Sequence, residues 1–428
     1  MAGHIVTGAL MGHASIFHNL VAGEHEGNFF VVAFNELRQD GGPTTENWIR
    51  GFKSEDQGAT WTQVGSRLRV LDQQFASCLD GRGGHILVSY VDINHNHAIA
   101  RFNMELETFD LENHFLVDGR RASGAEIASN ADGDIRILAN EEPDFPAIPS
   151  RMMPYYLSLD GDTLAVGSPQ TVPGIIAPVD QYNGYSGAAI APAPASGGHP
   201  EGAQGWFYML FQSEGDGMTN LDRFFIYDDT GARVELLNQI AHTGIRTAFR
   251  TRLGAPEPVA LVHQYATSNY RSALLSNDSS ATVVCDQGQV PTVTSQGAPL
   301  LTGGGALAGR GEDMYLLWFA GQALKASKAS GALSSCSGWG AFEILLTVDE
   351  TPVAMHGAAS VESGIAVLYA GADISPSEFD SWFDVYFVLY PLGGGCPQPE
   401  VSTHECSDAP DADTEHSCGG DQKQGYAI

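Results

Sequence analysis

The stretch KSEDQGATWTQVG, residues 53–65, follows a bulky run, Trp48-Ile49-Arg50-Gly51-Phe52, that reads as a strand, and it crowds Ser, Asp and Gly into five residues. Such a composition makes a tight reversal of the chain. Asp56 can fold its carboxylate back onto backbone N–H groups, Gly58 can take a positive φ without strain, and Trp61 can lay a large apolar ring over the hairpin. Ser54 and Thr60 complete the spacing S-x-D-x-G-x-T-W, so Ser54, Asp56, Gly58, Thr60 and Trp61 are expected to shape a turn.

Outward from this turn the chain repeats itself. A short apolar run recurs seven times: FFVVAF (29–34), HILVSYV (85–91), DIRILA (134–139), WFYMLF (206–211), PVALVH (258–263), MYLLWF (314–319) and GIAVLY (364–369). The spacing is about 55 residues, close to the period of a four-stranded propeller blade with loop insertions. Before each run lies a segment of small residues and a turn: GHASIFHN (12–19), ASCLDGRGG (76–84), GAEIASNADG (124–133), GAAIAPAP (187–194), IRTAFRTRLG (245–254), GGALAGRGE (304–312) and GAASVESG (357–364). Small side chains suit an innermost strand, where several wedge-shaped sheets converge on one axis. After each run comes a third strand, and SLDGDTL (158–164), YDDTGARV (227–234), SNDSSATV (276–283), SKASGALS (327–334) and NMELETF (103–109) are looser copies of the opening turn.

The full motif resembles the Asp-box of sialidase-like (BNR-repeat) β-propellers, where it lies in the hairpin between the third and fourth strands of a blade. That resemblance implies an all-β chain and, with seven repeats, a single seven-bladed propeller of four-stranded blades over residues 1–392; a six-bladed ring, as in catalytic sialidases, would leave one repeat as decoration. The last repeat, with SWFDVYFVLY (381–390) as its third strand, has no clear fourth, and HIVTGAL (4–10) has no partner of its own. The N-terminal strand is therefore expected to close the ring and remove its exposed edges.

Residues 393–428, GGGCPQPEVSTHECSDAPDADTEHSCGGDQKQGYAI, form an acidic, irregular tail holding Cys396, Cys406 and Cys418, whereas Cys78, Cys285 and Cys336 lie in the body. The tail has too few apolar residues for a core, which points to disulfide cross-links and an extracellular or cell-surface location. His404 and His416 stand beside those cysteines without the paired C-x-x-C spacing of structural zinc sites. Among 428 residues there are 51 Asp and Glu against 21 Lys and Arg, a formal net charge of −30, which excludes a nucleic-acid partner. No apolar run is long enough to span a membrane, and the first residues have neither the basic nor the apolar region of a secretion leader.

A propeller gathers ligands on the loops that join second to third strands and on those leading from one blade to the next. This frame brings His13, Gln73, Arg121, Tyr185, His242, Arg246 and His356 to the channel mouth, with Asp92, Glu141 and Trp382 on the same rim. Its carboxylates, amides and rings suit a glycan or protein ligand, and its hard oxygens make calcium a possible cofactor. No recurrent spacing among the fourteen histidines defines a transition-metal site. Basic residues open successive third strands at Arg50, Arg101, Arg151, Arg223, Arg271 and Lys325, and are expected to pair with carboxylates that end the second strands, such as Glu36, Asp92 and Glu141.

The sialidase Arg-Ile-Pro motif is absent, for IPSRMMP and TAFRTRLG do not match it, and no spacing assigns an acid/base or a Tyr–Glu nucleophile pair. The expected function is a non-catalytic recognition propeller, secreted or surface-associated, that binds a glycan or protein on the loop face. A sialidase-like glycoside hydrolase and a structural component of an extracellular assembly are the alternatives, since fold alone does not choose among them.

Overall fold

The computed structural model describes residues 3–10, 20–37, 46–117, 119–130, 132–141, 154–175, 184–192, 205–215, 220–229, 231, 233–241, 245–251, 258–264, 269–275, 283–289, 305–310, 313–320, 322–330, 343–348, 351–372 and 382–391. Among them all regular structure is antiparallel β, and no helix is long and apolar enough to cross a membrane. After β1 (Gly3–Leu10), the strands β2 (Ala22–His25), β3 (Asn28–Leu37), β4 (Glu46–Ser54), β5 (Thr62–Leu79), β6 (His85–Asp92), β7 (His97–Asn103) and β8 (Thr108–Phe115) follow one another across one sheet. Four-stranded sheets come next, in sequence order: β9 (Ala122–Ser129) to β12 (Gln170–Thr171) through β10 (Ile135–Glu141) and β11 (Tyr155–Leu159). A third is built from β13 (Gly184–Pro192), β14 (Trp206–Gly215), β15 (Asn220–Asp228) and β16 (Arg233–Ala241), and a fourth from β17 (Ile245–Thr251), β18 (Pro258–Gln264), β19 (Asn269–Leu275) and β20 (Val283–Gln289). A fifth holds β21 (Gly305–Arg310), β22 (Asp313–Ala320), β23 (Ala323–Ser330) and β24 (Glu343–Thr347). In the last, β25 (Thr351–Val361), β26 (Gly364–Ala372) and β27 (Trp382–Pro391) are completed by β1.

The recurrent apolar runs occupy the second strand of each group because both faces of that strand are covered, so alternation is lost. Ile365 to Tyr369 in β26 and Phe207 to Leu210 in β14 are all buried. Their side chains fill the clefts between neighbouring sheets. One such core joins Phe29, Val31 and Phe52 to Phe387 and Leu389, and another joins Leu87 and Ile99 to Ile127 and Ile137. Successive first strands touch: β5 meets β9, then β9 meets β13, β13 meets β17, β17 meets β21, and β21 meets β25. β25 also meets β2, and the Val21 amide donates to Ser77 Oγ of β5 at 3.0 Å. A side chain on Gly357 of β25 would strike the backbone carbonyl of Leu20, so the small residues there answer to crowding between first strands.

Two features depart from the sequence expectation. The 12–19 stretch lies outside the described residues, and the strand that pairs with β3 is β2, four residues joined to it by a two-residue turn at Glu26 and Gly27 with φ of 50° and 78°. In addition β5 runs through 18 residues and serves two groups. Its first part pairs with β4 from Thr62 to Val70, and its last part pairs with β6 from Phe75 to Leu79, with an irregular register between. The fourth strand missing after β27 is β1, with Gly3 opposite Phe387 and Leu10 opposite Trp382.

The turn at residues 53–65 is closed by its own side chains. Asp56 Oδ1 accepts from the Thr60 amide and from Ser54 Oγ, both at 2.8 Å, while Oδ2 accepts from Thr60 Oγ1 at 2.6 Å. Ser54 Oγ in turn accepts from the Gly58 amide at 2.7 Å, and Trp61 Nε1 donates to the Gly58 carbonyl at 3.0 Å. The Thr60 and Ser54 hydrogen bonds hold the Asp56 carboxyl below its usual range. Trp61 then meets Phe387 of the last sheet edge-on at 5.2 Å, so a local turn becomes a contact between the chain's two ends. Gly58 has φ of 94°, and a side chain there would run into the Phe387 ring. We expect Gly58→Ala to cost about 2 kcal/mol, from left-handed strain plus overpacking, read as a lower denaturant midpoint at unchanged m-value. An unaltered midpoint would show that this turn does not fasten the two ends.

Candidate functional site at the β6–β8 rim

The rim that joins second to third strands is described most fully at the β6–β7 turn. Asp92 ends β6 and is 4% exposed. Its Oδ1 accepts from the Asn94 and Asn96 amides, each at 2.8 Å, and Oδ2 accepts from Asn96 Nδ2 at 2.8 Å. The turn then passes through His95 with φ of 63°, and the His95 carbonyl accepts from the Ala122 amide at 2.8 Å, which ties it to β9. This is the side-chain-headed turn that Asp and Asn favour. The same device recurs at Asn130, whose Oδ1 accepts from the Asp132 and Asp134 amides, and at Asp160, which accepts from the Asp162 and Thr163 amides.

Asp92 also heads a polar relay. Residues 112 and 114 lie on one face of β8, two positions apart, and this face looks across Ala98 and Ala100 of β7 toward Tyr90 of β6. His114 Nδ1 stands 2.9 Å from Asp92 Oδ2 and its Nε2 stands 2.9 Å from Glu112 Oε1. The Tyr90 hydroxyl donates to the same Glu112 oxygen. Burial first, and then the Glu112 carboxylate, push the Tyr90 phenol far above its ordinary range, so it stays a proton donor at every physiological pH. For Asp92 burial acts upward, but the Asn96, Asn94 and His114 hydrogen bonds outweigh it and hold the carboxyl below the usual range. Side chains of His114 and Glu112 remain 43% and 41% exposed, so the relay has a wet edge.

Beside it, His97 opens β7 on the opposite face. The imidazole is 1% exposed and stacks on Phe115 with ring centres 5.4 Å apart. Neither ring nitrogen has a hydrogen-bond partner, and burial lowers its pKa from 6.5 to about 4.

The other rim residues named from sequence fall as follows. His13 and His242 lie outside the described residues. Gln73 is in the irregular part of β5, Tyr185 lies opposite Gln212, Arg246 opposite His263, and His356 at a register shift of β25. Glu141 ends β10 opposite Ala122, Trp382 opens β27 opposite Leu10, and Arg121 is exposed just before β9. Of these residues, Asp92 belongs to the relay. Glu112 and His114, which sequence reasoning passed over, supply it. One expected ion pair changes partner: Arg101 donates through Nε and Nη2 to Asp110 of β8, each at 2.9 Å, and not to a second-strand carboxylate. A bidentate fork fits a carboxylate on the adjacent strand, which is nearer than the end of β6. Among the described residues no group of three or more His, Cys, Asp or Glu is arranged to hold a metal ion.

No protein-family model matches the chain, and no curated protein is similar to it in sequence. Solved structures with a similar course of the chain include the polysaccharide lyase Uly1, at a TM-score of 0.49 and 8% identity over 90% of this chain and 92% of that one. The phage phi92 endosialidase has a TM-score of 0.46 at 8% identity, covering 96% of this chain and 72% of its own. A lectin of Aleuria aurantia has a TM-score of 0.40 at 12% identity over 76% and 97% of the two chains. At such identities no residue and no activity transfers from them.

Proposed function

We propose that the chain is a seven-bladed propeller, sealed by β1 against β27, that acts as a non-catalytic recognition module and binds a glycan on the β6–β8 rim. The reading of seven blades rests on the succession of contacts between first strands and on β5 belonging to two groups at once. The observation that carries the function is the relay itself. Glu112 and His114 present a carboxylate and an imidazole edge to solvent, held in a fixed array by the buried Tyr90 and Asp92. Sugar hydroxyls, each both donor and acceptor, match such an array. The crowding of cysteines in the polar tail supports a secreted or surface setting.

A glycan array probed with the labelled protein, followed by mass spectrometry of the captured glycan, tests the proposal. Intact glycan is expected, and Glu112→Gln and His114→Ala should each weaken capture by about tenfold, or roughly 1.4 kcal/mol. A glycan shortened by one sugar would replace this reading with a hydrolase, and capture untouched by both substitutions would move the site off this rim.

A further inference from the structure

In a chain with 51 acidic residues and 21 basic ones, two arginines face each other with no acid between them among the described residues. Arg50 of β4 lies directly opposite Arg67 of β5 in the ladder, and opposite Ala33 of β3 on its other side. Arg50 is 8% exposed, and its Nε is buried with no hydrogen-bond partner. The Trp48 indole Nε1, two residues away on the same face, is also buried and unpartnered. The Arg67 guanidinium lies over the Trp48 ring at 3.7 Å. Burial and the like charge of Arg67 lower the Arg50 pKa, the direction expected when no anion answers a guanidinium. Arg101 shows the usual remedy one group further on, where Asp110 takes two of its N–H groups.

The arrangement is built into the backbone. Between Val64, which pairs with Gly51, and Arg67, which pairs with Arg50, β5 carries Gly65 and Ser66 as a bulge. Gly65 has φ of 65°, and a side chain on it would strike the Glu107 carbonyl. The Ser66 amide donates to Thr108 Oγ1 at 3.0 Å, which anchors the bulge to β8. Bulges re-aim the side chain that follows, and this one sets Arg67 beside Arg50. A side chain on Gly51 would enter the Phe102 ring of β7, so Arg50, its neighbour, points to the opposite face. That face carries Phe52 and Ser54 and looks toward β27, where Phe29 meets Phe387 with ring centres 5.1 Å apart. The cluster thus sits on the outer two strands of its group, apart from the first strands and from the β6–β8 relay.

Like charges opposite each other in a ladder are destabilising, and a buried guanidinium without an acceptor is more so. Every unsatisfied group here is a donor, so what fits is an acceptor-only group able to take several N–H bonds at once. A chain of net charge −30 resists each further negative charge, which favours a monoanion over phosphate. We propose that Trp48, Arg50 and Arg67 form a binding site for a carboxylate, supplied either by a small organic acid or by an acidic saccharide. The site is independent of the rim proposed for glycan recognition.

Isothermal titration of the full chain with sodium acetate, sodium glucuronate and glucose, at fixed ionic strength in chloride, tests it. Acetate or glucuronate is expected to bind and glucose not. Glucuronate at least tenfold tighter than acetate assigns the saccharide source, and equal affinities assign the small acid. Arg67→Glu should supply the missing carboxylate internally, weaken binding at least tenfold and raise the melting temperature by about 1–2 °C. Arg67→Gln should weaken binding without that rise. No binding of either carboxylate, or binding that survives Arg67→Glu, overturns the proposal.

Discussion

Between pH 6.5 and about 4 the protein is expected to lose about 3 kcal/mol of stability through His97 alone. In the unfolded chain this imidazole takes a proton at its ordinary value, whereas in the fold it stays neutral until about pH 4, because the ring is buried against Phe115 with no partner for either nitrogen. The unfolded state therefore holds more protons throughout the window, and acidification favours it. The contribution is fully present above pH 6.5 and fully lost below about 4. Asp80, Asp92 and Asp110 add a separate loss at lower pH, since burial raises each carboxyl but hydrogen bonds hold it below its ordinary 3.8. Unfolding by denaturant at successive pH values distinguishes the two. His97→Leu should flatten the upper window, leave the lower one in place, and be no less stable than the parent at pH 7, because it removes two unsatisfied buried atoms. Parallel pH profiles for parent and variant would refute the assignment.

Removal of residues 1–10 is expected to be more severe still. β1 covers the outer edge of β27 from Trp382, opposite Leu10, to Phe387, opposite Gly3. Without it, the part of β27 that holds the buried Val385 and Phe387 would present an unpaired edge to solvent. Long apolar edges of this kind pair with other copies. The loss should be comparable with the stability of the whole fold, about 5 kcal/mol or more, and the truncated chain should elute as multimers. A synthetic peptide of the deleted residues, added in trans, should restore the monomer. A truncated chain that stays monomeric with unchanged melting would show that β1 is dispensable.

The two cases differ in how far they are legible in sequence. The second strands announce themselves, because a strand buried on both faces must be apolar throughout, and the small residues ahead of them mark the crowded first strands. β1 could be assigned to β27 by elimination, one strand lacking a partner and one group lacking a strand. β2 was harder. Its turn is Glu-Gly, a weak form of the Asn-Gly hairpin, and its four residues carry no periodicity. β12 has two residues and no pattern to find. At the site, Asp92 was visible as a rim carboxylate, but its commitment to the turn depends on the backbone path through His95. Glu112 and His114 share a strand face by simple alternation, a signal that was present but common to every fourth strand. Burial of His97 and the meeting of Arg50 with Arg67 were not legible at all. The first is decided by the neighbouring sheet, and the second by a two-residue bulge that shifts the ladder register.

The shared strand β5 has a mechanical consequence. Groups joined by a loop can swing apart, but β5 carries an unbroken backbone from the β4 ladder into the β6 ladder, so the first two groups must move as one stiff plate. Thermal breathing will not begin there. It will begin at the seam where the chain's beginning and end are held together by a strand, an aromatic contact and a turn, and amide exchange should be fastest at that seam and slow inward from it.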